Sequence, residues 1–157
     1  MRCRQLGLSP LFPGAPQRVT ISPLPVTLLP PALALRTVEG VEPIGPKKLL
    51  DALIIAPCTG NTLAKLAHSI ADTPVTMAAK SHLRNGRPVI VAVSTNDALA
   101  GAAENIGKLL ARKHYYFVPF GQDDAWNKPT SMVADFTKIP QTLEAALAGK
   151  QIQPILL

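Results

Sequence analysis

Three short runs of apolar residues, each too brief for a buried helix, constrain this chain more than any other feature. They are Asp51-Ala52-Leu53-Ile54-Ile55-Ala56, stopped by Pro57, then Pro88-Val89-Ile90-Val91-Ala92-Val93-Ser94, and Tyr115-Tyr116-Phe117-Val118. A strand that is apolar on both faces needs helices on both faces, as in a parallel sheet. Helical spacing fills the intervals. Leu63, Leu66, Ala67 and Ile70 recur at i, i+3, i+4 and i+7, with Lys65, His68 and Asp72 on the other side. Thr73-Pro74 restarts a helix with a capping hydroxyl and a proline in its first turn. That helix passes through Met77, Ala78 and His82 to an αL exit at Asn85-Gly86. A third helix carries Leu99, Ala102, Ala103, Ile106, Leu109 and Leu110, with Arg112 and Lys113 at its end. A fourth carries Ile139, Leu143, Ala146 and Leu147 and ends at Gly149. Strand and helix alternate, so the expected fold is α/β: a Rossmann-like or flavodoxin-like parallel sheet with helices on both faces.

The first part of the chain has a different composition. Nine of the 16 prolines fall in the first 46 residues, which also hold four arginines and two glutamates. Nothing there supplies a βαβ unit, so residues 1–41 are expected to be irregular or poorly packed, residues 42–157 to form the domain, and the first βαβ unit to be missing. The same prolines interrupt the apolar segment that a secretory signal would need. No run of eighteen apolar residues exists for a membrane span. Two cysteines, Cys3 and Cys58, make no disulfide framework, so the expectation is a reduced, cytoplasmic protein. The net charge of +6 is scattered, without basic runs or interleaved aromatics, which argues against nucleic acid as partner.

In a parallel sheet, ligands bind beyond the carboxyl ends of the strands. Three polar loops are expected on that edge: Thr59-Gly60-Asn61-Thr62, Thr95-Asn96-Asp97 and Gly121-Gln122-Asp123-Asp124. The first opens a helix, whose free N–H groups and positive dipole end suit a phosphate, a carboxylate or a polar ring edge. An ordinary N-cap at Thr59 or Asn61 is the competing reading, and Lys65 one turn on is either a second contact or a solvated lysine. The carboxylates of Asp97 and Asp123 are likewise either ligand contacts or caps of the turns that follow. Cys58, at a strand end before a helix, invites a nucleophile reading. No histidine stands at a catalytic spacing from it, so a small buried cysteine is the reading adopted. His68, His82 and His114 show no metal-ligand pattern and are expected on the surface or at helix ends, so no metal site is proposed. No P-loop, G-x-G-x-x-G or G-x-S-x-G occurs.

The segment Ala56-Pro57-Cys58-Thr59-Gly60-Asn61-Thr62-Leu63-Ala64-Lys65-Leu66-Ala67, with Ala71-Asp72, resembles the A-P-x-x-x-N-T-x-x-K-x-A…D signature of the flavoprotein superfamily, which includes cysteine decarboxylases and flavin prenyltransferases. Five further blocks are similar to the dipicolinate synthase B-subunit family within it. They are Glu42 to Lys47, Met77 to Lys80, Ser94 to Leu99, Pro119 to Asp124 and Lys128 to Ala134. The resemblance implies a component of an oxidoreductase complex in the mother-cell cytoplasm of sporulating bacteria. There an A subunit with NADP would oxidise a dihydrodipicolinate-type dicarboxylate to dipicolinate. It implies an oligomer and FMN as the cofactor type of the fold. Thr59, Gly60, Asn61, Thr62, Lys65, Thr95, Asn96, Asp97, Gln122 and Asp123 are the expected cofactor or ligand contacts, with no catalytic residue assigned. Family members begin with a strand and a G-x-T-G-S phosphate loop, which Met1 to Gly40 does not contain. The expectations that follow are weak FMN binding and a misread frame or displaced start near Val41. The alternatives are an independent FMN-dependent decarboxylase or prenyltransferase-like enzyme and a non-catalytic stabilising subunit.

Overall fold

The computed structural model describes residues 37–157. Most of the segment expected to be irregular, with Cys3, lies outside the described residues. Its last part is ordered: Val38–Val41 forms a helical turn, α1, capped by the Thr37 hydroxyl, and a 3-10 turn follows at Glu42–Ile44. Val41 and Ile44 are buried, and Asn85 Nδ2 donates to the Gly45 carbonyl at 2.9 Å.

Strand β1 (Leu53–Cys58) leads into helices α2 (Gly60–Ala67) and α3 (Pro74–Leu83). Strand β2 (Val89–Thr95) is followed by α4 (Ala103–Leu110) and β3 (Tyr115–Phe117). Both β1 and β3 pair in parallel with β2, in the registers Leu53↔Val89 and Val89↔Tyr115. Val89 to Val93 is wholly buried, because β2 has strands on both edges and helices on both faces. Burial of each valine or isoleucine there contributes roughly 1.5–3 kcal/mol.

Beyond β3 the sheet ceases to be parallel. Pro119 interrupts the chain, and β4 (Phe120–Gly121) and β5 (Met132–Ala134) form an antiparallel extension. β5 pairs with Ser94 and Thr95 where β3 has ended. The observed sheet is therefore mixed rather than all parallel. Helix α5 (Ile139–Leu147) packs on β2 and β3, and the tail pairs with β4 through Phe120 and Leu156. The Gln151 side chain accepts from Phe117 N and donates to Phe117 O, both at 2.7 Å, which covers the outer edge of β3.

Two helices are shorter than their apolar spacing suggested. α2 stops at Ala67 because Ser69 takes a left-handed φ of 60°, with Ser69 N donating to Leu66 O and Ile70 N to Lys65 O. Ile70 therefore leaves the stripe and is 47% exposed. α4 begins only at Ala103, because the Leu99 amide donates to the Thr130 carbonyl and those of Ala100 and Ala102 to Asp97 O. Leu99 and Leu110 are exposed, not core. The exit at Gly86 is left-handed, as expected, and so is that at Gly149. No helix among the described residues is long and apolar enough to cross a membrane.

Candidate functional site

The parallel arrangement places the end of β1 beside the end of β2, and the first two polar loops meet there. Thr59 adopts extended backbone before α2 but makes no side-chain cap, its hydroxyl lying 3.5 Å from that of Thr62. The amides of the first turn thus keep their donor capacity. Gly60 sits tightly against the second loop: a Cβ at this position would lie 2.9 Å from Thr95 Oγ1 and 3.0 Å from Asp97 Oδ1. Those two atoms are themselves hydrogen-bonded at 2.5 Å, Thr95 donating. Asp97 thus brings a negative charge to the positive end of α2, an interaction that is favourable in this direction.

This arrangement narrows the chemistry of the edge. A bare helix end would suit an added phosphate, but here a carboxylate already faces it. What remains is a mixed surface, with amide and hydroxyl donors at Gly60, Asn61, Thr62 and Thr95, and an acceptor at Asp97. A ring with both donor and acceptor atoms on its edge fits that pattern better than a phosphate does.

The third loop joins at one remove. It is the β4–β5 connection rather than the end of β3, a difference that follows from the break at Pro119. Thr130 Oγ1 donates to the Asn96 carbonyl at 2.7 Å, tying the loop to the second one. Gln122 is closed onto its own loop, its Nε2 donating to Pro129 O at 2.8 Å. The Ser131 hydroxyl and Lys128 hold the Asp123 carboxyl below the usual carboxylate range. Asp124 accepts from Asn127 N and Nδ2 at 3.0 and 2.9 Å, which is a turn cap. Lys65 is engaged elsewhere: its ammonium lies 2.9 Å from Asp72, away from the start of α2. The structure therefore brings together Thr59 to Thr62 and Thr95 to Asp97. It leaves Lys65, Gln122 and Asp123 with partners of their own.

Sequence reasoning passed over Thr130 and Gly101. Gly101 lies beside the same carboxylate, its hypothetical Cβ 3.4 Å from Asp97 Oδ2. A hydroxyl flanked by proline and serine in a loop carried the only signal for Thr130. Cys58, next to this edge, points into the core, and burial pushes its thiol well above the ordinary range. It has no exposure with which to act as a nucleophile. His82 lies in the last turn of α3, one of the two expected placements, but is buried, its Nε2 3.1 Å from Pro88 O.

The family model described as Flavoprotein matches residues 31–138. The B subunit of dipicolinate synthase from Bacillus subtilis (strain 168) is 50% identical over 124 residues, 79% of this chain and 62% of that relative. The chain thus spans less than two thirds of that relative's length. The crystal structure of the dipicolinate synthase B subunit from Bacillus halodurans C superposes with a TM-score of 0.78 at 50% identity, covering 79% of this chain and 64% of that one. The FMN binding protein AtHal3, at 20% identity and a TM-score of 0.59, covers 81% of this chain and 79% of its own, and shows the shared fold alone. An α/β sandwich with this match over most of its length has one assignment: the chain belongs to the flavoprotein family.

Proposed function

We propose that this chain acts as a B-type subunit of a dipicolinate synthase, with residues 42–157 as its folded unit. Its partner is an A subunit that carries NADP and performs the oxidation. The edge formed by Thr59, Gly60, Asn61, Thr62, Thr95, Asn96 and Asp97 receives a small anionic dicarboxylate built on a nitrogen ring, a dihydrodipicolinate-type substrate. Gln122 and Asp123 stand at the margin of that site, while Lys65, paired with Asp72, takes no part in it. The observation carrying this reading is the contact of Gly60 with Thr95 and Asp97, which joins helix-end donors to a fixed acceptor. The similarity to the B subunits of dipicolinate synthase supports this choice of substrate class.

Co-expression with the A subunit tests the reading. Asn61→Ala is expected to lower dipicolinate formation at least tenfold while leaving the purified complex intact. Full activity of the A subunit alone would make this chain a stabilising subunit instead.

A second reading, favoured by the fold shared with an FMN-binding protein, is that the same donors and Asp97 hold the ring of FMN. The described residues fit that ring edge, and a bound flavin would supply hydride or electron transfer. Met1 to Gly40 contains no G-x-T-G-S segment, and weak binding is the expectation. Titration of the purified protein with FMN, followed by flavin fluorescence, distinguishes the two: tight saturable quenching favours the flavin.

A further inference from the structure

The opposite, amino edge of the sheet holds a cleft of about 460 Å³ that the reading above does not use. Its rim carries Lys80, Arg84, Arg112, Lys113 and His114, and no Asp or Glu lines it. The neighbouring carboxylates are taken, Asp72 by Lys65 and Glu104 by Lys108. None of the cleft's lysines or arginines has a carboxylate within ion-pair distance among the described residues. Its wall is apolar, formed by Leu66, Ile70, Leu83 and Tyr115.

Screened lysines on a convex surface would need no explanation. Two features set this place apart. Arg112 is not free to swing into water, because it donates to Leu66 O at 3.1 Å and to Ala67 O at 2.6 Å. Its guanidinium, which also reaches Ser69 Oγ at 3.4 Å, is thus fixed at the cleft, with no carboxylate in ion-pair distance among the described residues. Ser69 and His114, which flank the cleft from two loops, both hold left-handed φ values of 60° and 70°. Ser69 does so in the turn that ends α2, so both exposed loop ends hold a fixed geometry beside the cleft. The volume is that of a small-molecule site rather than a peptide groove.

We propose that this cleft is a second ligand site, for a small organic polyanion with an apolar ring: at least two negative charges meet the cations while the ring lies on Leu83 and Tyr115. The charges are phosphate or carboxylate oxygens, which the cations serve alike. The site lies across the sheet from the carboxyl edge, so a ligand here regulates or anchors rather than reacts.

Calorimetric titration of the full chain with ADP, isophthalate, adenosine and tripolyphosphate tests this. ADP or isophthalate is expected to bind, more weakly as salt rises, and the tighter of the two identifies the anionic group. The double variant Lys80→Glu, Lys113→Glu is expected to weaken that binding at least tenfold with an unchanged thermal melt. Arg84→Glu, a second exposed position, should weaken it as well. The proposal is overturned if neither ADP nor isophthalate binds, if adenosine or tripolyphosphate binds as tightly as ADP, or if the charge reversals leave affinity unchanged. Loss of binding in Asn61→Ala, rather than in the lysine variants, would place the ligand at the carboxyl edge and also overturn it. That outcome leaves the proposed function standing, so the two readings fail separately.

Discussion

Gly60 and Asp97 stand so close that a methyl group between them would force the carboxylate to give, the hypothetical Cβ lying 3.0 Å from Asp97 Oδ1. One glycine thus joins the start of α2 to the loop after β2. At the first residue of α2, Gly60→Ala gains less than it would in a helix interior, about 1 kcal/mol, and loses roughly 1–3 kcal/mol to overpacking. Net destabilisation is expected in thermal melts. In an Asp97→Ala background the cost of Gly60→Ala should shrink, because Thr95 is released to turn aside. Additive costs in that double-mutant cycle would mean that the contact carries no energy.

Arg112 closes the end of α2, which its own backbone turn does not complete. Arg112→Ala removes donors to Leu66 O and Ala67 O, and is expected to cost about 1–3 kcal/mol by denaturant titration. Arg112→Lys, which cannot span both carbonyls with a planar fork, should recover only part of it.

His82 predicts a dependence on pH. Burial, ahead of the charge of Arg87, holds its ring below the ordinary histidine value, while the Pro88 carbonyl opposes this. The unfolded chain therefore takes up the proton first. Stability contributed by neutral His82 is fully present above about pH 6.5 and is lost as pH falls toward the folded value. Unfolding free energies measured from pH 8 down to pH 5 should show this fall. His82→Gln, which keeps a donor toward Pro88, should flatten it; an equal slope in the variant would assign the pH dependence to other groups.

Cys58 lies at the edge of the proposed site but has the chemistry of the core. Burial raises its thiol and hides it, so alkylation of Cys58, mapped by mass spectrometry, should proceed only as fast as the protein opens. Prompt modification of the native protein would contradict the buried placement.

Apolar periodicity marks the strands and helices of this fold well, because β1, β2 and β3 are defined by what they bury. Where it misleads, a longer-range bond or a local turn is responsible. Ile70 has helical spacing, yet the left-handed turn at Ser69 takes it out of α2. Leu99 has it too, yet its amide is drawn to Thr130, a partner from a distant loop that no local pattern encodes. The antiparallel extension was hidden because β4 and β5 are only two and three residues long. At the candidate site, local chemistry marks the polar edge, while the contact between Gly60 and Asp97 depends on the β1–β2 pairing. Residue types also conceal the commitment of Lys65 to Asp72, since a lysine one turn into a helix has the same spacing whichever way it points.

The proposed function makes the carboxyl edge around Asp97 a working site of the complex with an A subunit. The most direct measurement is dipicolinate formation by the co-purified complex carrying Asp97→Asn, which keeps shape and removes charge. A fall of at least tenfold with unchanged subunit association is predicted. A wild-type rate from an intact complex would contradict the account.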